Sequence, residues 1–486
     1  VLQLSFAPNA FGTATITIRA TDAAGELVEA SFDVHVASVN DPPTAVSAAS
    51  YLVREGESLA LDASASGDIE GDALTFSWDF NGDGVFGDAV GATPIITWTA
   101  LVGLGLDNGP AVHEVRVMVS DGHAQSVSSA AVLNVANAAP SAAISAPFVA
   151  VRSQPLKFVF TAFDASPTDV TAGLTYTIDW NNDGVFEETF TDGDVVEVTH
   201  EFAETGVYPV HVRVNDRDGG TSAPQCHEIE VLSMQVQTSA SGGRVLAVGG
   251  STGGDTIRVR PKANDPEMMV VTINEHESEI RVRQAFDPPI DRIVIFGGAG
   301  DDIIRVNEDI FVTAELHGGR GNDKLRGGSG QDLLLGEDGD DTLVGNDGRD
   351  LLIGGNGADK IVGNAEDDLL ISGTTDFDRN SAALDRIMAE WTSTRGYGDR
   401  VANLRGDTTS SHFANRLNAN YFLVHDGPVA TVHDDGAKDV LTGDEGLDWF
   451  LANLYLDATD DADKKDRITD LFASEFADDL DFILQE

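Results

Sequence analysis

The first half of the chain alternates polar and apolar residues in short runs. Residues 15–20 and 31–36 alternate in this way, and so do residues 115–119 and 210–214. Because successive side chains of a strand point to opposite faces, a period of two predicts half-buried strands. Glycine and aspartate turns follow the runs at regular spacing, which is typical of a β-sandwich.

The alternation divides this half into three segments. Residues 39–43 contain two adjacent prolines, which cannot lie in a central strand, so residues 1–43 are interpreted as the end of a sandwich and a linker. Residues 44–137 and 138–234 repeat the plan, and each is predicted to close with a hairpin. The shared hairpin indicates tandem sandwiches.

Short motifs in these segments resemble known extracellular modules. Ala20–Asp22 and Val39–Asp41, the latter before proline, are similar to the end of a bacterial cadherin-like repeat. Residues 78–84 and 178–184 resemble the signature of polycystic-kidney-disease (PKD-type) domains, although both contain inserted asparagines. The resemblance implies immunoglobulin-like sandwiches.

From residue 235 the pattern changes to a nine-residue unit, Gly-Gly-x-Gly-x-Asp-x-apolar-x. One unit fills residues 297–305, and six units follow without a gap over residues 318–371. Looser units occur at 250–258, 434–442 and 443–451. The sixth-position aspartates are Asp255, Asp302, Asp323, Asp332, Asp341, Asp350, Asp359, Asp368, Asp439 and Asp448. Six units in register are a strong repeat signal.

This unit resembles the calcium-binding nonapeptide of repeats-in-toxin (RTX) proteins. The resemblance implies a parallel β-roll in which two nonapeptides form one coil and the eighth-position side chain points inward. Ca²⁺ takes six to eight oxygen ligands, which stacked turns of carbonyls and aspartates supply, so about four ions are expected in the array. The array contains no nitrogen or sulfur ligand, which disfavours zinc and copper. The last unit has Asn364 and Glu366 in place of glycines and is interpreted as a terminal coil.

Charge repulsion makes the metal-free roll unfavourable. At the strand spacing of about 5 Å, two carboxylates repel by about 3 kcal/mol at an effective dielectric constant near 20. We therefore expect the roll to be unfolded without calcium and folded with it. The alternative is a glycine-rich solenoid that needs no calcium.

The C-terminal part combines helices with more roll. Leu384, Ile387, Met388 and Trp391 have helical spacing after the candidate N-cap residues Asn380 and Ser381, and a second helix is predicted to end at Gly406. Residues 235–317 are interpreted as an irregular solenoid, 318–371 as the calcium roll and 372–432 as a helical cap on its open end. Residues 433–486 are interpreted as a roll remnant and an acidic tail that includes Phe482 and Ile483. The expected fold class is all-β: tandem immunoglobulin-like sandwiches, then a parallel β-roll, with a small mixed α/β cap.

Two sandwich loops read Asp-x-Asn-x-Asp-Gly, like the first half of an EF-hand loop. The candidate calcium ligands are Asp79, Asn81, Asp83, Asp179, Asn181 and Asp183. The bidentate glutamate at position 12 is missing, so Asp88, Glu187 or Glu188 would have to complete the site. The alternative is a polar hairpin turn. A third candidate site, Asp22 with Asn40 and Asp41, has an Asx turn before Pro42 as its alternative.

The charge of the chain limits the classes of binding partner, and its cysteine content limits its disulfides. The 486 residues include 81 acidic and 30 basic ones, and the net charge of −51 argues against nucleic acid and anionic membranes. No apolar run approaches the length of about 20 residues that a membrane span needs. The single Cys226 cannot form an internal disulfide and is predicted to be buried, and the acidic run 457–466 is interpreted as solvated loop, with ligand use as the alternative. Because the chain starts at Val1 in what resembles a partial domain, it is expected to be the C-terminal part of a longer protein.

No catalytic motif is convincing. Three His-Glu pairs lack the second histidine of a zincin helix, and Gly249–Gly253 matches a nucleophile elbow in letters only. The expected function is a non-enzymatic, calcium-binding, secreted or cell-surface structural or adhesion protein, as in large bacterial adhesins. RTX proteins imply type I export directed by the tail, here Phe472–Glu486. The alternatives are an accessory region of a larger secreted hydrolase or toxin, and a polysaccharide-binding module that uses Trp98 or Trp180.

Overall fold

The computed structural model describes residues 3–239, 242–281, 289–425, 427–454 and 465–480. The predicted tail residues Phe482 and Ile483 and most of the acidic run 457–466 lie outside these ranges. The chain divides into two compact units. The first contains residues 1–145, 159–197 and 210–226, and the second contains residues 146–158, 198–209 and 227–486.

The first unit begins with a long hairpin. Strands β1 (Gly12–Thr21) and β2 (Leu27–Val36) pair antiparallel along their whole length. Asp22 stabilises the turn between them, because its Oδ1 accepts from the backbone N–H groups of Ala24 and Glu26. The predicted strands are confirmed, but the prediction that they are half-buried is wrong. Nearly all their side chains are exposed, since the hairpin forms a two-stranded sheet of its own.

A complete sandwich follows. Its elements are β3 (Ser50–Arg54), β4 (Leu59–Ala60), β5 (Thr75–Asp79), β6 (Ala89–Val90), β7 (Ile95–Ile96), α1 (Trp98–Gly103), β8 (Ala111–Ser120), β9 (Gln125–Val127) and β10 (Ala131–Ala136). The large sheet has the order β3-β10-β8-β5-β6, with β9 on β8, and β4 pairs with β7 in a small second sheet. Trp78, Phe80 and the alternating Val115, Val117 and Val119 are fully buried between the sheets. The predicted alternation is therefore confirmed here.

The next segment repeats this plan. Its elements are β11 (Ser141–Ser145), β12 (Val149–Val151), β13 (Leu156–Phe163), α2 (Pro167–Ala172), β14 (Leu174–Asp179), β15 (Glu188–Asp192), β16 (Val195–His200), β17 (Gly206–Asn215) and β18 (Gln225–Leu232). Within the first unit, β11 pairs antiparallel with residues 159–163 of β13, and β14 pairs antiparallel with β15 and with residues 211–215 of β17. The alternating Val210, Val212 and Val214 are fully buried.

Cys226 corrects one prediction. The side chain is exposed rather than buried. Along β18 the inward positions belong to Ile229 and Val231, and Cys226 has the opposite parity.

Besides residues 146–158 and 198–209, the second unit contains a roll of two nine-stranded sheets. The first roll sheet contains β19 (Met234–Thr238), β20 (Arg244–Gly249), β24 (Ile290–Ala299), β26 (Thr313–Arg320), β28 (Leu333–Asp338), β30 (Leu351–Asn356), β32 (Leu369–Ile371), β36 (Trp449–Ala452) and β38 (Phe476–Asp479). The second roll sheet contains β21 (Thr256–Lys262), β22 (Asp265–Ile273), β23 (His276–Arg281), β25 (Ile303–Val306), β27 (Lys324–Arg326), β29 (Thr342–Asp347), β31 (Lys360–Ala365), β35 (Val440–Glu445) and β37 (Arg467–Ile468). From β24 and β25 onward, neighbouring strands of each sheet are parallel.

The register shows how the nonapeptides stack. Lys324 pairs with Thr342, and Thr342 pairs with Lys360, so one coil contains 18 residues, or two nonapeptides. The eighth-position side chains from both sheets meet in one core between them. Those of the six-unit array are Leu325, Leu334, Leu343, Leu352, Ile361 and Leu370. The predicted all-β class, with tandem immunoglobulin-like sandwiches and a parallel β-roll, is confirmed.

Two helices follow β32. They are α3 (Ser381–Trp391) and α4 (Tyr397–Leu404). On either side of them, β33 (Thr374–Thr375) and β34 (Val432–His433) form a short antiparallel pair, and a 3₁₀ turn lies at Phe413–Asn415. Asn380 caps α3, since its Oδ1 accepts from the N–H of Ala383. Both predicted helices are confirmed. No helix in the described part of the chain is long and apolar enough to cross a membrane.

The helical region does not cap an open end, and that prediction is wrong. After the helices the chain resumes the roll, because β35 pairs with β31 and β36 pairs with β32. The unit at 363–371 is therefore an internal coil rather than a terminal one. Its Asn364 and Glu366 adopt φ of +84° and +77°, so they take the left-handed conformation that glycine usually provides.

The helices cover the outer face of the first roll sheet. In alternate nonapeptides the seventh and ninth positions are also apolar, which gives this sheet two hydrophobic faces. These residues are Leu333, Leu335, Leu351, Ile353, Leu369 and Ile371. Leu384, Ile387 and Trp391 of α3 pack against them. In the second roll sheet the same positions include Lys324, Arg326 and Lys360, and no such cover is needed.

We predict that Ile387→Ala destabilises the roll by about 2–5 kcal/mol, because it removes a fully buried side chain between α3 and the sheet. Arg386→Ala, at an exposed position of the same helix, should change stability by less than about 0.5 kcal/mol. Denaturant unfolding in calcium measures both. Equal effects of the two substitutions would contradict the packing described here.

Candidate metal centre

Each nonapeptide turn folds back over its own aspartate. A Cβ built on Gly327, the first residue of its unit, would lie 2.5 Å from Oδ2 of Asp332 and 2.6 Å from the carbonyl oxygen of Gly345 in the next coil. On Gly318 the same two oxygen types, from Asp323 and Gly336, are equally close. Glycine is needed at this position because a carboxylate and a carbonyl oxygen converge beside its Cα.

One oxygen of each aspartate connects successive coils. Oδ1 accepts from the backbone N–H of the equivalent residue one coil earlier, at 2.6–2.8 Å through the array. One ladder runs through Asp302, Asp323, Asp341, Asp359 and Asp439, and the other runs through Asp332, Asp350, Asp368 and Asp448. We call these the two aspartate ladders.

The other oxygen of most ladder aspartates is buried without a hydrogen-bond donor. The residues whose Oδ2 has no partner are Asp302, Asp323, Asp341, Asp350, Asp359, Asp368, Asp439 and Asp448. A buried carboxylate oxygen without a donor is costly unless a positive charge neutralises it. Carboxylate and carbonyl oxygens at the same turn form the hard donor set that Ca²⁺ prefers, so these residues fit the ion.

Two of the predicted ligands differ from the rest. Oδ2 of Asp332 accepts from the N–H of Gly328 at 2.7 Å. Oδ2 of Asp255 accepts from the N–H and the hydroxyl of Ser251. Their carboxylates are already satisfied by the protein, so they have less need of a cation.

Burial determines the protonation of the ladders. Burial first, and then the neighbouring carboxylates, raise the pKa of Asp323 to about 7, of Asp341 to about 8 and of Asp439 to about 9. Burial and the adjacent ladder aspartate also raise the pKa of Asp350 and Asp368. Near neutral pH such a carboxyl either holds a proton or requires a cation.

Asp466 extends the first ladder by one coil, which the sequence analysis missed. Its Oδ1 accepts from the N–H of Asp439 and its Oδ2 from the N–H of Asn453. The interpretation of this residue as part of a solvated loop is therefore wrong. The available signal was the order Asp466-Arg467-Ile468, which places an apolar side chain two residues after the aspartate as in every nonapeptide.

The sandwich loops are internally hydrogen-bonded turns. Asp79 accepts from the N–H groups of Gly82 and Gly84, and Asp83 accepts from that of Val85. Asp88 reaches back to the N–H of Phe80. These hydrogen bonds hold the turn, and the calcium role of Asp79, Asn81 and Asp83 remains a prediction.

The second loop brings more carboxylates together. One carboxylate oxygen from each of Asp179, Asp183 and Glu187 lies within 4.8 Å of the other two. Glu187 is one of the residues expected to complete this loop, and its Oε2 accepts from the N–H of Trp180. Asn181 accepts from the N–H of Asp183 through its side-chain oxygen.

The third candidate site is not assembled as predicted. Asp22 is used in its own turn, and Asn40 donates to Oδ2 of Asp121 at 2.9 Å. The N–H of Asp41 donates to Glu70.

The roll matches a known family. The family described as RTX calcium-binding nonapeptide repeat (4 copies) matches residues 294–309, 315–343 and 335–370. This part of the chain thus carries RTX repeats, which bind calcium. No curated protein sequence matches the chain significantly.

Solved structures resemble parts of the chain. The PKD domain of an M14-like peptidase from a Thermoplasmatales archaeon is 24% identical, covers 20% of this chain and 98% of its own, and has a TM-score of 0.18. Fibronectin(III)-like modules of Clostridium thermocellum CbhA are 16% identical, with 39% and 93% covered and a TM-score of 0.18. The Yersinia pseudotuberculosis adhesin InvE is 13% identical, with 47% and 67% covered and a TM-score of 0.20. At these TM-scores the likenesses support no argument about function.

We predict that the calcium-free roll becomes less stable as pH rises from about 5 to 8. The folded-state pKa values of Asp323, Asp341 and Asp439 are raised above the unfolded value of about 3.9. The folded state therefore binds more protons, and its stability falls as pH rises through the folded pKa values. Circular dichroism in chelator measures this as the fraction of the roll that is folded at each pH.

Calcium should reverse the trend. Protons and Ca²⁺ compete for the same carboxylates, so the stabilisation by calcium should increase from pH 5 to pH 8. A chelator-treated protein that is most stable at pH 8 would contradict the protonation assigned to the ladders.

Proposed function

We propose that this protein is a non-enzymatic, calcium-binding, secreted or cell-surface structural protein with a role in adhesion, whose β-roll folds on binding Ca²⁺. The observation that carries the proposal is the buried Oδ2 without a donor on eight ladder aspartates. RTX repeats are typical of secreted bacterial proteins.

The coupling of folding to calcium follows from the ladders. Their aspartates follow one another at the spacing of adjacent strands, about 4.8 Å, where ionised carboxylates repel by about 3 kcal/mol per pair. A cation that binds only the folded arrangement removes this repulsion, and its binding free energy stabilises the fold. Extracellular calcium modules bind with dissociation constants of about 10⁻⁴–10⁻³ M, which suits a roll that folds outside the cell.

The sandwiches serve as a stalk in this proposal, with a cell-surface protein or polysaccharide as partner. Aromatic stacking on sugars is not favoured, because Trp180 is 4% exposed and Trp98 is half-buried, with its Nε1 donating to the carbonyl of Ala165. Export by a type I system, with the roll unfolded at low cytosolic calcium, accords with the proposed coupling.

We predict that titrating the full chain with Ca²⁺ produces β structure by circular dichroism together with cooperative heat of binding. The double substitution Asp341→Asn/Asp359→Asn removes two ladder carboxylates and should raise the calcium midpoint at least tenfold. Asp309→Asn removes a single carboxylate at an exposed site outside the ladders and should leave the midpoint unchanged. A chelator-treated chain with full β content and no binding would refute the proposal.

We predict that removing residues 472–486 retains the protein inside an expressing bacterium with a type I exporter. The ladder variant Asp341→Asn/Asp359→Asn should still be exported, because export precedes folding. Immunoblots of medium and cells measure both. Normal export of the truncated chain would exclude a signal in the tail.

A further inference from the structure

A separate group of buried carboxylates lies in the first compact unit. Glu55 directly follows β3, Asp164 directly follows β13, and Asp169 lies in α2. All three are buried, and one carboxylate oxygen of each lies within 4.8 Å of the other two. The group therefore combines a residue from the segment 44–137 with two from the segment 138–234.

Backbone donors orient two of these carboxylates. Oε1 of Glu55 accepts from the N–H of Gly109 at 2.6 Å, and Oε2 accepts from that of Ala138 at 2.7 Å. Oδ1 of Asp164 accepts from the N–H of Ser166 at 2.8 Å. Backbone N–H groups at Gly109, Ala138 and Ser166 thus fix the positions of these two carboxylates.

Several oxygens of the group have no donor. Asp169 is 0% exposed, and neither of its carboxylate oxygens accepts a hydrogen bond. Oδ2 of Asp164 is likewise buried without a partner. The nearest ion pair is long, with 3.6 Å between Nε of Arg217 and Oδ1 of Asp169, and that arginine also pairs with Asp218. Such oxygens are costly to bury unless a cation is bound.

Asp216 lies near the group, since its charge acts on both Glu55 and Asp164. Oδ2 of Asp216 accepts from Nδ2 of Asn137, which leaves Oδ1 of that amide buried without a partner. Burial, and after it the neighbouring Asp218, raise the pKa of Asp169 to about 7. Burial also raises the pKa of Glu55 and of Asp164. All the candidate ligand atoms of this group are carboxylate oxygens. Oxygen is the ligand that a hard cation such as Ca²⁺ prefers, whereas zinc and copper favour nitrogen and sulfur.

We propose that Glu55, Asp164 and Asp169 bind one Ca²⁺ ion that joins the two sandwich segments. Three carboxylates exceed what Mg²⁺ usually takes, since it keeps several waters and uses one or two carboxylates. Bound there, the ion holds the linker at Ala138 between both segments. This site is independent of the roll.

The preceding linker provides an internal comparison. There Asn40 donates to Asp121, just as Asn137 donates to Asp216. Among the residues that the structure describes, the group of three carboxylates occurs at the second linker and not at the first. The Asn–Asp contact is therefore common to both linkers, whereas the group of three carboxylates is found at the second linker.

The test counts calcium ions on the full chain. By equilibrium dialysis with radioactive calcium, Asp169→Asn should bind one ion fewer than the wild type. Asp164→Asn, which changes a different ligand, should show the same loss. Glu57→Gln, an exposed acid two residues from Glu55, should bind the wild-type number. Unchanged stoichiometry in both site variants would overturn the proposal.

Thermal unfolding provides a second readout. In chelator, Asp169→Asn should unfold at the same or a higher temperature than the wild type, because a neutral amide replaces a buried acid. In 1 mM Ca²⁺ the order should reverse. The same order in both buffers would overturn the proposal, and an equal effect of 1 mM Mg²⁺ would overturn the assignment of calcium.

A ladder variant separates this site from the roll. In the Asp341→Asn/Asp359→Asn background, Asp169→Asn should still remove one ion. Loss of that difference would show that the ion belongs to the roll and would overturn the proposal. Failure of the calcium-dependent β signal alone would instead refute the proposed function and leave this site in place.

Discussion

The contact between an aspartate oxygen and the backbone N–H of the preceding coil is the interaction on which the roll depends. It fixes the register of the coils, since each ladder aspartate accepts from the equivalent residue one coil earlier. That residue lies 18 positions back within the six-unit array, 21 positions back at Asp323 and 80 positions back where the helices intervene. It also buries the carboxylate, because the side chain must fold over its own glycine turn to make the bond. The same contact therefore sets the register of the coils and buries the carboxylates, and the buried carboxylates create a site that suits a cation.

The same repeat has two different environments, which explains the helices. Every nonapeptide contributes one inward side chain, such as Leu343 or Leu352, to the core between the sheets. Units of the first roll sheet also carry apolar side chains at the seventh and ninth positions, as Leu351 and Ile353 do. Those faces would be exposed in a bare roll, and burying a leucine is worth about 1.5–3 kcal/mol. The helices inserted between β32 and β35 therefore form a second core on the outer face of the first roll sheet.

The sequence predicted what local spacing determines. The period of nine, the inward leucines, the ladder aspartates and the cap of α3 by Asn380 all follow from residues close in the chain. The pairing of β31 with β35 could not be predicted in the same way, because two loosely matching units follow a long insertion and their register is set across space. Asp466 was missed for the same reason. The burial of Cys226 was predicted wrongly because packing against the core decides which alternate residues of a strand point inward. Glu55 and Asp169 are more than a hundred residues apart in the sequence, and no motif marks them as members of one group.

Metal plays a different part in the two kinds of domain. The sandwich core that contains Trp78, Phe80 and Val117 is a fully buried cluster of apolar side chains, so hydrophobic burial stabilises this segment. In the roll the core is one side chain wide per half-coil, and a ladder of carboxylates runs along each side of it. Burial of apolar area there must offset both chain entropy and charge repulsion. Under the proposed function, therefore, an ion in the sandwich segments would adjust the linker between folded parts, whereas ions in the roll would decide whether the roll folds.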